Sequence, residues 1–172
     1  GVTTRFIYNS EGRLIAEHQG DPAPITPTKE YVYGGNGLLA VIEPNNPDTN
    51  QVIKYITPDH LSTPRVVTDT TGNVVSRHDY MPFGEEIMST VGNRLAISGY
   101  SGVDNIRQKH TGYERDDETG LDFAKARYYA SVSGRFTSVD PIQFTNKRLI
   151  DPQLINLYVY ARNNPLLFID PT

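Results

Sequence analysis

The chain has 172 residues, enough for a sizeable core if it folds as one body. Sixteen basic against 20 acidic residues give a net charge of −4, so no basic excess points to nucleic acid. Zero cysteines exclude a disulfide scaffold, a thiolate metal site and a cysteine nucleophile, and no apolar run reaches the length of a membrane span. The N-terminus also lacks a charged-then-apolar leader pattern.

In chain order, residues 5–17 and 30–43 repeat one pattern: an aromatic-x-Tyr pair, a polar turn ending in glycine, then an apolar strand. Phe6 and Tyr8, or Tyr31 and Tyr33, sit two apart and share one face of a strand. Asn9-Ser10-Glu11-Gly12 supplies turn formers and a glycine able to take positive φ, as a bulged hairpin loop needs. A third hairpin is expected over 65–78, where the β-branched run 66–68 turns at 70–73 and returns. Residues 20–29 and 44–50 read as loops at strand ends. The polar stretch 88–110 is expected to be an insertion loop. Short helices are expected near 121–129 and 152–158, the second with Asp151 as its cap and Pro152 at its first position. An isolated hairpin is marginal in water, so these units must stack edge to edge. The expected fold is all-β: antiparallel hairpins in a coiling sheet, with one or two short helices near the C-terminus. Three units cannot close a barrel, so either more units precede them or the C-terminal segment covers an edge.

These units resemble the tyrosine–aspartate (YD) repeats of bacterial Rhs proteins, the C components of insecticidal Tc toxins and animal teneurins. Three further blocks are similar to the Rhs repeat-associated core: 59–69 with 78–86, 111–141, and 156–172. The organisation implied is YD-type hairpins over 1–87, the insertion over 88–110 and a core or plug over 111–172. The family prefers glycine where this chain has Ser62 and aspartate where it has Asn9, so the turn at Ser62 is expected to be reshaped. The resemblance implies a secreted or cell-surface bacterial shell whose β-ribbon encloses a C-terminal toxin or effector. It implies upstream YD repeats as neighbours and no cofactor or metal. It also implies an aspartyl self-cleavage site acting once on its own chain. The family motif runs Asp-Pro-x-Gly-Leu with cleavage after the leucine, and Asp170-Pro171-Thr172 holds its first three positions.

By that match the two carboxylates are Asp140 and Asp170, with Arg127 and Arg135 as supporting cations. Two close carboxylates share a proton, leaving one as base and one as acid. Taken on spacing alone, Asp-Pro at 21–22, 140–141, 151–152 and 170–171 only opens turns. Asp140 and Asp170 stand 30 apart, wider than the family spacing, with the excess in 144–150; Arg127 and Arg135 equally suit loop ties. The cluster Arg115-Asp116-Asp117-Glu118 lacks calcium-loop spacing and reads as a solvated turn. His18, His60, His78 and His110 are too dispersed for a metal site, and Gly34–Gly37 precedes no helix pattern that would make it a phosphate loop. Asp59-His60-Leu61-Ser62 has hydrolase residue types, but neighbours on one strand cannot converge. The tyrosines suit core packing better than sugar stacking. The alternatives to a shell are a module adhering to a glycan or protein partner, and a subunit that assembles through β edges into a fibre or tube.

Overall fold

A computed structural model describes residues 2–35, 37–44, 51–100, 103–141, 153 and 155–170. Seven strands form one antiparallel meander in chain order: β1 (Thr4–Tyr8), β2 (Leu14–Gln19), β3 (Lys29–Gly34), β4 (Gly37–Glu43), β5 (Val52–Pro58), β6 (Pro64–Thr68) and β7 (Val74–Arg77). A second sheet has the order β11-β10-β9-β8, from β8 (Glu114–Arg115), β9 (Asp122–Ala124), β10 (Arg127–Ala130) and β11 (Arg135–Phe136). The fold is all-β, and among the described residues the few helical ones are single 3₁₀ turns.

One turn design closes three of the hairpins, β1–β2, β5–β6 and β6–β7. Asn9 Oδ1 accepts the amides of Glu11 and Arg13, Asp59 Oδ1 those of Leu61 and Thr63, and Asp69 Oδ1 those of Thr71 and Asn73. In each, the first residue's amide donates to the carbonyl four residues on, at 2.9 Å. The fourth residue then takes a left-handed backbone: Gly12 at φ 72°, Ser62 at φ 66° and Gly72 at φ 87°. The turn at Ser62 is therefore retained and not reshaped, because the Asp59 cap makes the same hydrogen bonds with serine as with glycine. Serine bears a left-handed strain of about 1–2 kcal/mol there. Ser62→Gly should release it, less the added chain entropy, for a net gain of about 0.5–1 kcal/mol. A melting temperature unchanged or lowered by that substitution would refute the assignment of strain.

The sheet's inner face holds the core of Leu14, Tyr31, Leu38, Val41, Ile56 and Val67, joined by Ile106. Ile106 comes from the stretch expected to be a polar insertion. Its last part instead lies packed on the sheet, with Asp104, Ile106, Gln108 and His110 buried and the residues between them more exposed. That alternation is the strand period, and the polar members are buried because they find partners there. The opposite face is less covered: Ile7, Val32 and Tyr55 remain 42–46% exposed. At one edge Arg77 donates its amide to Gly99 O at 3.0 Å, while β1 at the other edge pairs among the described residues with β2 alone.

The helix expected near 121–129 is the β9–β10 hairpin. Lys125 turns the chain at φ 59°, and burial alternates through Asp122, Ala124, Arg127 and Tyr129. Of the second expected helix, Asp151, Pro152 and Leu154 lie outside the described residues, as do 45–50 of the expected loop. Residues 156–158 form a turn in which Asn156 Oδ1 accepts the Tyr158 amide at 3.1 Å.

Candidate functional site

The pairing register of the small sheet sets one row across all four strands: Arg115, Asp122, Tyr129 and Phe136. Neighbours in such a row stand side by side on one face. Arg115 grips the fully buried Asp122 with two hydrogen bonds, 2.6 and 3.0 Å. Tyr129 meets Phe136 edge-on at 5.6 Å and Tyr160 at 4.5 Å, and its hydroxyl donates to Phe83 O at 2.7 Å. Tyr113 packs against both tyrosines, at 6.3 Å from each. Tyr31, Tyr129 and Tyr160 thus pack inside, while Tyr128 and Tyr158 stay exposed.

Arg127 sits two residues before Tyr129 and so points to the same buried side. Its guanidinium stacks 3.5 Å over Phe136. Nη1 donates to Leu157 O at 3.2 Å, and Nη2 donates to Asp170 Oδ2 at the same distance. The Asp140 amide donates to that same Leu157 carbonyl at 3.0 Å. Arg127 and the Leu157 carbonyl therefore bring both segments that carry Asp140 and Asp170 to one place. Tyr113 Oη adds a long 3.5 Å contact to Asp170 O. Arg135 goes elsewhere: it pairs with Ala130 in the register, its neighbour Phe136 is the buried one, and its side chain is exposed on the other face. The Leu157 carbonyl left no mark in the sequence, since any residue supplies a carbonyl; Tyr113 lies inside the 111–141 block, where nothing sets it apart from the other tyrosines.

The remaining candidates are turn and core chemistry. Asp59-His60-Leu61-Ser62 is a hairpin turn in which Asp59 also holds Arg65 at 3.0 Å. Asp116 accepts from the Glu118 amide and the Thr119 hydroxyl of its own turn. A half-open cavity of about 590 Å³ lies between β1 and the small sheet, lined by Phe6, Tyr8, Arg107, Glu114, Phe123 and Tyr128 among others.

The model of the teneurin YD-shell family matches residues 1–166. The chain belongs to that family. It is 30% identical to salivary gland surface protein 1 of Aedes aegypti over 173 aligned residues, 96% of this chain and 4% of that protein. It is 28% identical to the tRNA nuclease WapA of Bacillus subtilis strain 168, over 99% of this chain and 7% of that protein. Among solved structures, a TcdB2–TccC3 complex without its hypervariable C-terminal region superposes with a TM-score of 0.61 at 20% identity. That match covers 98% of this chain and 9% of the other. The likeness extends to the fold, and the chain spans only a small part of these relatives. No helix among the described residues is long and apolar enough to cross a membrane.

Proposed function

We propose that this YD-shell segment is the shell end and plug of a longer Rhs-type protein that encloses a C-terminal toxin or effector. The observation that carries the reading is the pairing of an unfinished sheet with a folded cap. Among the described residues the edge strand β1 pairs with β2 alone, and the sheet's other face keeps Ile7, Val32 and Tyr55 exposed. Upstream repeats of the same kind would add to that edge, since strand addition satisfies the open backbone groups. Relatives named toxin subunit YenC1 and toxin protein Tse5 support an effector as the cargo. The setting that follows is a secreted or cell-surface protein.

Within the plug, Asp140 and Asp170 act as the carboxylate pair of a single self-cleavage. One carboxylate takes a proton from water as the oxygen joins the scissile carbonyl carbon. The other, protonated, gives its proton to the departing amide nitrogen as the C–N bond breaks. Arg127 positions Asp170 and ties it to the turn at Leu157; Arg135, on the outer face, takes no part. The test extends the chain past Thr172 with Gly-Leu and a reporter. The extended chain should release the reporter, Asp140→Asn and Asp170→Asn should each abolish release, and Arg127→Leu should slow it roughly tenfold or more. Release that continues unchanged in both aspartate variants removes the aspartyl reading.

A further inference from the structure

A second charged cluster lies beside β7 of the seven-stranded sheet, apart from Asp140 and Asp170. His78, directly after β7, is buried, with Nδ1 against Glu86 Oε1 and Nε2 2.6 Å from Asp104 Oδ2. A neutral imidazole has one N–H and can donate to one carboxylate only. Carboxylates on both ring nitrogens therefore require the imidazolium. The partners come from different parts of the chain: Glu86 closes the turn that bridges back to Tyr80, and Asp104 opens the buried strap 104–110.

Asp104 is the knot of this cluster. Its Oδ2 also accepts the Ser76 hydroxyl at 2.5 Å, its Oδ1 accepts the Ile106 amide at 2.9 Å, and its carbonyl accepts Lys54 Nζ at 2.9 Å. Lys109, further along the strap, stands 3.9 Å from Glu86 Oε2, and the Tyr80 ring stacks 6.4 Å from His78. Ser76, His78 and Glu86 have the residue types of a nucleophile, base and acid. They cannot work as one, because Ser76 is fully buried and an Nε2 that already carries a proton cannot accept another.

We propose that His78, clamped between Asp104 and Glu86, is a latch that holds the 104–110 strap on the sheet and opens in alkaline solution. Burial opposes the charge on His78, but the hydrogen bonds to Asp104 and Glu86 outweigh it and raise its pKa to about 9. Burial likewise pushes the two carboxyls up, yet the His78 hydrogen bonds and the Lys109 charge prevail and hold both below their usual values; Arg115 adds to this at Glu86. A folded-state value above the ordinary 6.5 means that the latch is at full strength below pH 6.5 and is lost as pH climbs through about 9. Once the proton leaves, one of the two carboxylates faces a ring lone pair. The strap then loses its anchor at Asp104, and with it the cover that Ile106 gives the core.

Trypsin reads the strap directly, because Arg107 and Lys109 lie within it. Short trypsin pulses on the whole chain between pH 7 and 9.5 would be mapped by mass spectrometry and normalised to a flexible peptide in the same tube. Cleavage after Arg107 and Lys109 should rise roughly tenfold or more across that range, while the far-ultraviolet sheet signal persists. The His78 Cε1–H resonance should titrate with the same midpoint, near pH 9. Glu86→Gln should bring both midpoints down by about one pH unit. His78→Gln should make strap cleavage equal at every pH tested. A His78 that titrates at or below its ordinary value in the wild-type chain overturns the latch, and so does a strap equally protected at pH 7 and 9.5. The wild-type titration decides the matter even if a variant fails to fold.

Discussion

Replacing Tyr129 by alanine is expected to lower stability by about 3–5 kcal/mol, among the largest effects of any single truncation in the chain. Tyr129 is completely buried, at the centre of the cluster formed by Ala124, Phe136, Tyr160 and Ala161 with Phe83 and Tyr113 around it. The substitution removes ring contacts at 4.5 Å to Tyr160 and 5.6 Å to Phe136, each worth about 0.5–1.5 kcal/mol beyond the area buried. It also strands the Phe83 carbonyl, which accepts the Tyr129 hydroxyl. Tyr129→Phe separates the two contributions, because it keeps the ring and loses only that hydrogen bond, at about 1–3 kcal/mol. Urea unfolding followed by circular dichroism measures both. A domain has about 5–15 kcal/mol in all, so the alanine variant should sit close to unfolding. A loss under 1 kcal/mol would mean that the tyrosine cluster is not packed.

The same cluster explains what the sequence disclosed and what it hid. The hairpins were legible because turn chemistry is local: Asn9 and Asp69 can cap their turns only from the position they occupy, and Gly12 and Gly72 mark the left-handed residue three further on. Asp59 does the same with serine in the glycine position, which is why the departure from the family's glycine suggested a different turn there. The hairpin at 121–129 was hidden because leucine, alanine, lysine and arginine favour helix locally. What overrides them is long-range: Asp122 pairs with Arg115 and Tyr129 packs on Tyr160, contacts that need period-two spacing.

Burial of polar residues is the other limit. The strap 104–110 reads as a surface loop because aspartate, asparagine, arginine, glutamine and lysine, which make up most of it, are seldom buried. Only the sheet shows where their partners stand: Ser76 and His78 for Asp104, Tyr33 for Gln108. At the candidate site, the resemblance pointed to Asp140 and Asp170 but could not separate Arg127 from Arg135. The separation is a matter of parity along two short strands. Arg127 shares the face of Tyr129, whereas Arg135 alternates with the buried Phe136.

Gly84→Ala carries the second large effect, and it joins that hidden strap to the legible motif at 78–86. Gly84 has φ 88°, so any side chain costs about 1–2 kcal/mol in backbone strain. A methyl there would also lie 2.5 Å from Cγ and Cδ2 and 2.7 Å from Cβ of His110. The ring cannot swing aside, because it is buried between Tyr80 at 6.3 Å and Tyr160 at 5.9 Å. Burial also lowers the His110 pKa to about 4, so the ring is a neutral member of the packing at pH 7 and gains nothing by moving into water. Forcing the overlap should add about 1–3 kcal/mol to the strain. Gly72→Ala is the matched control: its φ is 87°, and a methyl there meets nothing within 4 Å. The two variants share the backbone penalty, so the difference between their unfolding midpoints isolates the collision with His110. Equal losses at the two positions would show that residue 84 does not press against the strap, and that the 78–86 motif and the 104–110 segment are not packed together as described.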